Sequence, residues 1–158
     1  MSQSTITPVR HSVTVQISAL RAFTLFTEGF NTWWIGHHIG EAEMAEAVIE
    51  PRVDGRWYER GVDGTECDWG KVLVYEPPNR LAMTWQLDCD FKYDPDLSHA
   101  SEVDVQFTES GGQTTVTLEH KYIERHGAGA EGVYEGVSGS GGWPGILDLY
   151  AKKAAEAA

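Results

Sequence analysis

The chain has 158 residues, 41% of them apolar, with a formal net charge of −12 and six tryptophans. That length suits one domain with a core of its own, taken here as residues 1–158. The charge argues against nucleic acid or anionic headgroups as partners, and no run approaches the ~20 apolar residues of a membrane span.

The N-terminus alternates instead of carrying a signal-type apolar run, so a cytoplasmic location is expected. Residues 9–17 put Val13, Val15 and Ile17 on one face and read as a first strand. Ser18 stands where a helix cap belongs, and residues 19–27 follow with Ala22, Phe23 and Phe26 on one side. A second helical turn over 30–34 carries Trp33 and Trp34, and 35–45 reads as a polar loop. Strands over 47–51 and 56–60 flank Val53-Asp54-Gly55, a hairpin signal. Residues 66–75 form a longer strand, whose inward face the sequence leaves open.

Beyond a turn at Glu76-Pro77-Pro78-Asn79-Arg80, Leu81, Met83, Trp85 and Leu87 alternate with Ala82, Thr84 and Gln86: a half-buried strand. Residues 88–99 read as a polar loop. Two further strands follow, 102–108 with Val103, Val105 and Phe107 on one face, and 114–122 with Val116, Leu118, His120 and Tyr122. Pairing Phe107 with Val116 carries Val105 onto Leu118 and Val103 onto His120, which points His120 inward. Residues 123–142 are glycine-rich and aperiodic and read as loop. The chain closes on a helix entered near Pro144, with Trp143, Leu147, Tyr150, Ala151, Ala154 and Ala158 on one stripe. The order is α+β: one strand, two short helices, six more antiparallel strands and a covering terminal helix.

Several short patterns carry competing readings. Gly127-Ala128-Gly129-Ala130-Glu131-Gly132 spells a dinucleotide fingerprint, but it follows an antiparallel strand and reads better as a flexible loop. His37-His38 with Glu41, Glu43 and Glu46 lacks zinc spacing and reads as a solvated acidic loop, so no metal or other cofactor is expected. Ser138 and Ser140 do not meet the nucleophile-elbow pattern. The pairs Glu66/Asp68 and Asp88/Asp90 read as surface carboxylates, and His99 and His126 as loop residues. Cys67 and Cys89 read as two reduced, buried thiols, near-symmetric about the proline turn and so placed on neighbouring strands.

Ile49-Glu50-Pro51-Arg52-Val53-Asp54-Gly55-Arg56-Trp57 resembles a family hairpin of the form PR-x-GG-x-W, with Asp54 where that pattern prefers glycine. Trp69-Gly70-Lys71-Val72, Pro77-Pro78-Asn79-Arg80-Leu81 and Thr84-Trp85 are similar to its following strands, and Gly142-Trp143 with Leu147 to its end. The chain thus resembles the SRPBCC, or START-like, superfamily over nearly its whole length. Within it the resemblance is to the bacterial branch named for homology to the activator of the heat-shock-protein-90 ATPase. That resemblance implies a helix-grip fold: a curved antiparallel sheet around the C-terminal helix, with a cavity between.

The function expected is binding of a small, largely apolar or lipid-like ligand in that cavity. The expected lining comes from Trp33, Trp57, Trp69, Met83 and Trp85, then Phe107, His120 and Tyr122, and Trp143, Leu147 and Tyr150 of the closing helix. His120 is the polar group expected to orient the ligand. A co-chaperone module, with a chaperone as partner in a stress response, is the alternative the family name implies. A cavity enzyme of cyclase or isomerase type using His120 or an inward carboxylate as acid or base is the other. The space itself is expected where the bulky end of the terminal helix props its alanine end off the sheet.

Overall fold

The computed structural model describes residues 6–34, 40–139 and 141–157. Seven strands form one antiparallel sheet in the order β1-β7-β6-β5-β4-β3-β2. They are β1 (Val9–Val15), β2 (Met44–Ile49), β3 (Arg56–Gly61), β4 (Glu66–Glu76), β5 (Arg80–Trp85), β6 (Ser101–Ser110) and β7 (Gln113–Lys121). Because β1 pairs with β7, the first strand returns beside the last, and the register pairs Phe107 with Val116, Val105 with Leu118 and Val103 with His120, as the alternation predicts. Register shifts within β2–β3, β3–β4 and β4–β5 mark bulges, which bend strands and curl the sheet. This curled sheet with its long C-terminal helix is the expected helix-grip architecture.

Two helices follow β1. The first, α1 (Ala19–Thr27), is capped by the Ser18 side chain, which accepts from the backbone N–H of Arg21. It buries Ala22, Phe23 and Phe26. The short α2 (Phe30–Trp33) buries Phe30 and Trp33. The closing helix, α4 (Trp143–Ala157), buries Trp143, Ile146, Leu147, Tyr150 and Ala154. Its C-terminal half packs on β1, and the Tyr150 hydroxyl donates to the carbonyl of Ala22 at 2.7 Å, tying α4 to α1.

Leu147 has no exposed surface. Leu147→Ala should therefore cost about 2–5 kcal/mol, the range for large-to-small changes in a sealed core, read as a fall in the urea midpoint. An unchanged midpoint would mean that α4 is not docked on the sheet.

Three expectations need correcting. Residues 123–142 are mostly helical: a 3-10 stretch over Ile123–Gly129 leads into α3 (Ala130–Ser138). Ala130, Val133 and Val137 lie three and four apart and form the buried stripe of α3, a helical period diluted by glycines. The fingerprint glycines serve close packing here: a Cβ on Gly129 would come within 2.8 Å of the Cys89 sulfur, and one on Gly132 within 3.0 Å of the Cys89 Cβ. Strand β5 is buried on both faces, because residues beyond it fold back along its outer side. There Asp94 N–H donates to the Gln86 carbonyl at 2.7 Å, and Leu87 bridges Tyr93. The cysteines are free, but Cys67 is half-buried on β4 opposite Glu59, and Cys89 is exposed beyond the end of β5.

Candidate functional site

The interior is built from rings. Trp57 stacks on Trp69 at 5.7 Å, Trp69 meets Trp85 edge-on at 5.4 Å, and Trp85 meets Trp143 at 5.8 Å. From α2, Trp34 closes on Trp69 at 5.4 Å and stacks on Phe30 at 4.8 Å. Alternation on β3, β4 and β5 brings their tryptophans to the concave face, and the first turn of α4 lowers Trp143 onto them. Phe23, Phe26 and Phe107 form the opposite end of the core.

A cavity of about 80 Å³ borders this column, between Trp34, Trp69, Trp85 and Trp143 on one side and Phe91, Val137 and Ile146 on the other. Gly136 of α3 and Gly141 and Gly142 of the α3–α4 junction complete its lining without side chains. The junction is tight: a Cβ on Gly142 would fall 2.2 Å from the Val137 carbonyl oxygen, so α4 can start this close to α3 only with glycine there. Phe91 is half-exposed and sits at a positive φ of 59°.

The space therefore lies at the bulky end of α4 and not under its alanines. The small residues let the helix settle onto β1, and Ala154 is sealed. Of the eleven residues expected to line a cavity, Trp69, Trp85 and Trp143 do so. Trp33, Trp57, Met83, Phe107, Leu147 and Tyr150 are packed in the core without bordering it. Tyr122 leaves the inward row altogether: β7 ends at Lys121, Tyr122 turns at a φ of 62°, and its ring lies under Arg125 at 4.2 Å. Trp34, Phe91 and Ile146 were not foreseen. The helical period of α4 contains the signal for Ile146, three residues after Trp143; nothing local marks Phe91.

His120 is inward and fully buried, but it holds the site together and does not face into it. Trp143 Nε1–H donates to His120 Nδ1 at 3.0 Å, and His120 Nε2 meets Ser101 Oγ at 2.6 Å. The same hydroxyl lies 2.7 Å from His126 Nε2. An indole N–H can only donate, so Nδ1 is the acceptor and the His120 proton sits on Nε2. That proton goes to Ser101, whose own hydroxyl then donates to His126. The polarity of the chain Trp143–His120–Ser101–His126 is thus set by the tryptophan. Burial holds the His120 ring neutral, its pKa pushed down to about 3, and burial also lowers that of His126. With both nitrogens engaged and its pKa far below neutrality, His120 is placed neither to orient a ligand nor to exchange protons near pH 7.

The other polar groups have structural duties. Glu66 and Asp68 hold Arg56 at 2.9 and 2.6 Å. Asp88 caps its own turn by accepting from the N–H groups of Asp90 and Lys92. His99 pairs with Asp94 at 2.8 Å. His37, His38 and Ser140 lie outside the described residues. Among the described residues no group of three His, Cys, Asp or Glu side chains could hold a metal, and no helix is long and apolar enough to cross a membrane.

Residues 17–149 match the family described as Activator of Hsp90 ATPase homolog 1-like protein. The chain belongs to the AHSA1-like family. Two solved structures above 30% identity support the assignment. The first is an anthrahydroquino-γ-pyrone synthase, Txn09, complexed with SUM: 39% identity over 96% of this chain and 99% of that one, with a TM-score of 0.66. The second is the self-sacrificing resistance protein CalC from Micromonospora echinospora, 33% identical over 95% of each chain, with a TM-score of 0.66. Protein NE0264 from Nitrosomonas europaea, 12% identical with a TM-score of 0.65, shares the fold. No curated protein matched. The AHSA1-like helix-grip fold thus agrees with the resemblance carried by the hairpin and strand motifs.

Proposed function

We propose that this AHSA1-like chain binds a small, planar, largely apolar ligand in the space beside Trp34, Trp69, Trp85 and Trp143. The observation that carries the reading is a cavity walled by four indoles in a core otherwise filled by rings. Flat aromatic walls favour a flat guest, which gains stacking as well as burial. One relative points the same way: it is named an anthrahydroquino-γ-pyrone synthase. At about 80 Å³ the space is smaller than the ~150 Å³ void that holds benzene. A polycyclic guest must therefore displace a wall, and the wall with least to lose is half-exposed Phe91, opposite the indoles.

The co-chaperone reading draws less support. Of the exposed large apolar side chains Phe91 borders the cavity, which favours service to a ligand there. The cavity-enzyme reading also draws less support, because His120 is neutral with both nitrogens engaged and no carboxylate is among the cavity's described lining residues. A cytoplasmic location remains part of the proposal.

The test is titration with 1,8-dihydroxyanthraquinone, followed by tryptophan fluorescence. Saturable quenching at one ligand per chain is expected, with faster association in Phe91→Ala. Quenching that rises linearly, as it would for free tryptophan, would sink the proposal.

A further inference from the structure

The indoles around the cavity differ in what their N–H groups do. Trp69 donates to Glu59 at 2.9 Å and Trp143 to His120 at 3.0 Å. Trp85 is only 4% exposed, yet among the described residues its N–H has no acceptor. Among the described residues every fully buried polar side-chain atom has a partner. The Trp85 N–H is therefore not sealed in the core; it keeps access to open space, and the space that Trp85 borders is the cavity. Its ring cannot turn away. Trp57, Trp69, His120 and Trp143 hold it from four sides at 5.7, 5.4, 5.3 and 5.8 Å.

We propose that Trp85 is the specificity-determining residue of the site: its indole N–H donates to an oxygen on the ligand, so the cavity selects a planar aromatic bearing a carbonyl or phenolic oxygen over the plain hydrocarbon. The inference rests on the ligand-binding reading above. A donor in an apolar pocket loses water when any guest enters. A guest with an acceptor at that edge replaces the lost bond, and a hydrocarbon leaves the N–H unpaired. Sites built around one such group reject the analogue that lacks it far more strongly than they discriminate by size. Phe91, Val137 and Ile146 add no side-chain donor, being apolar.

The matched probes are 9-fluorenone and fluorene, which share a ring skeleton and differ in the carbonyl. Equilibrium dialysis against the full chain should show fluorenone bound about tenfold or more tightly than fluorene. Trp85→Phe keeps an aromatic ring and removes the donor. It should abolish that preference, weakening fluorenone by more than fluorene. A preference that survives Trp85→Phe, or no preference in the unmodified chain, overturns the inference and leaves ligand binding standing. If neither probe binds and dihydroxyanthraquinone does not bind either, the ligand-binding reading fails as well. Should Trp85→Phe not fold, the indole N–H resonances of the unmodified chain decide. One should move downfield with fluorenone and stay put with fluorene; both ligands binding without that shift would overturn the proposal.

Discussion

Trp143→Ala should destabilise the protein by about 3–5 kcal/mol, the range for removing a sealed indole. Trp143 is 1% exposed and touches Trp34, Trp85 and His120 at ring distances of 6.1, 5.8 and 6.1 Å. Two losses combine. The truncated side chain leaves a void against the tryptophan column, and His120 Nδ1 loses the donor that sets its tautomer. Trp143→Phe separates them, since it keeps a ring and removes the N–H; it should cost about 1–3 kcal/mol, the penalty for a buried polar atom left unpaired. Urea unfolding of the two variants measures both values. Equal costs would show that the ring's packing adds nothing beyond the hydrogen bond, and a Trp143→Phe cost near zero would show that the hydrogen bond adds nothing beyond packing. A Trp143→Ala midpoint matching the unmodified chain would mean that the first turn of α4 is not seated on the sheet.

The second large effect is loss of stability in mild acid. The His120 pKa is near 3 in the folded chain and near 6.5 as an ordinary histidine. Between those values the unfolded chain takes up a proton that the folded chain refuses. Stability from this residue is therefore complete above about pH 6.5 and falls as pH drops toward 3. Each unit is worth about 1.4 kcal/mol, so about 3 kcal/mol should be gone by pH 4.5. His126, also lowered by burial, acts with the same sign. His99, raised chiefly by its hydrogen bond with Asp94, works in the opposite direction but is fully exposed. Carboxylates such as Glu66, held below the usual range by hydrogen bonds from Arg56, lose their contribution only at lower pH. His120→Gln offers a donor and an acceptor and does not titrate here. Its stability should change far less than that of the unmodified chain between pH 6.5 and 4.5. Parallel curves for the two proteins would remove His120 as the cause.

Much of this architecture is legible in one dimension because its determinants are local. Alternation in residues 102–108 and 114–122 specifies a register in which a one-residue slip would turn Phe107 and Val116 out to solvent. Ser18 and the spacing of Phe23 and Phe26 specify α1 in the same way. The inward direction of His120 follows from that register alone.

What the pattern of residues could not supply is where the interior stays open and what its polar atoms do. The small side chains at the end of α4 suggest space, yet they let the helix settle onto β1, and closeness between two distant elements is not written into either of them. Phe91 borders the cavity because Cys89 lies against Gly129 and Gly132, and Phe91 against Gly136, at the start of α3 and within it, a fit between two segments that each read as loop. His120 and Trp85 carry the same lesson. A polar group's role depends on which partners folding brings within hydrogen-bonding reach. For His120 those are Trp143 and Ser101, 23 and 19 residues away in the chain. For Trp85 the described residues supply no such partner. Periodicity determined the strands, the outer helices and the aromatic interior; only long-range packing decided which aromatic rings face the space, and which polar atoms remain open to it.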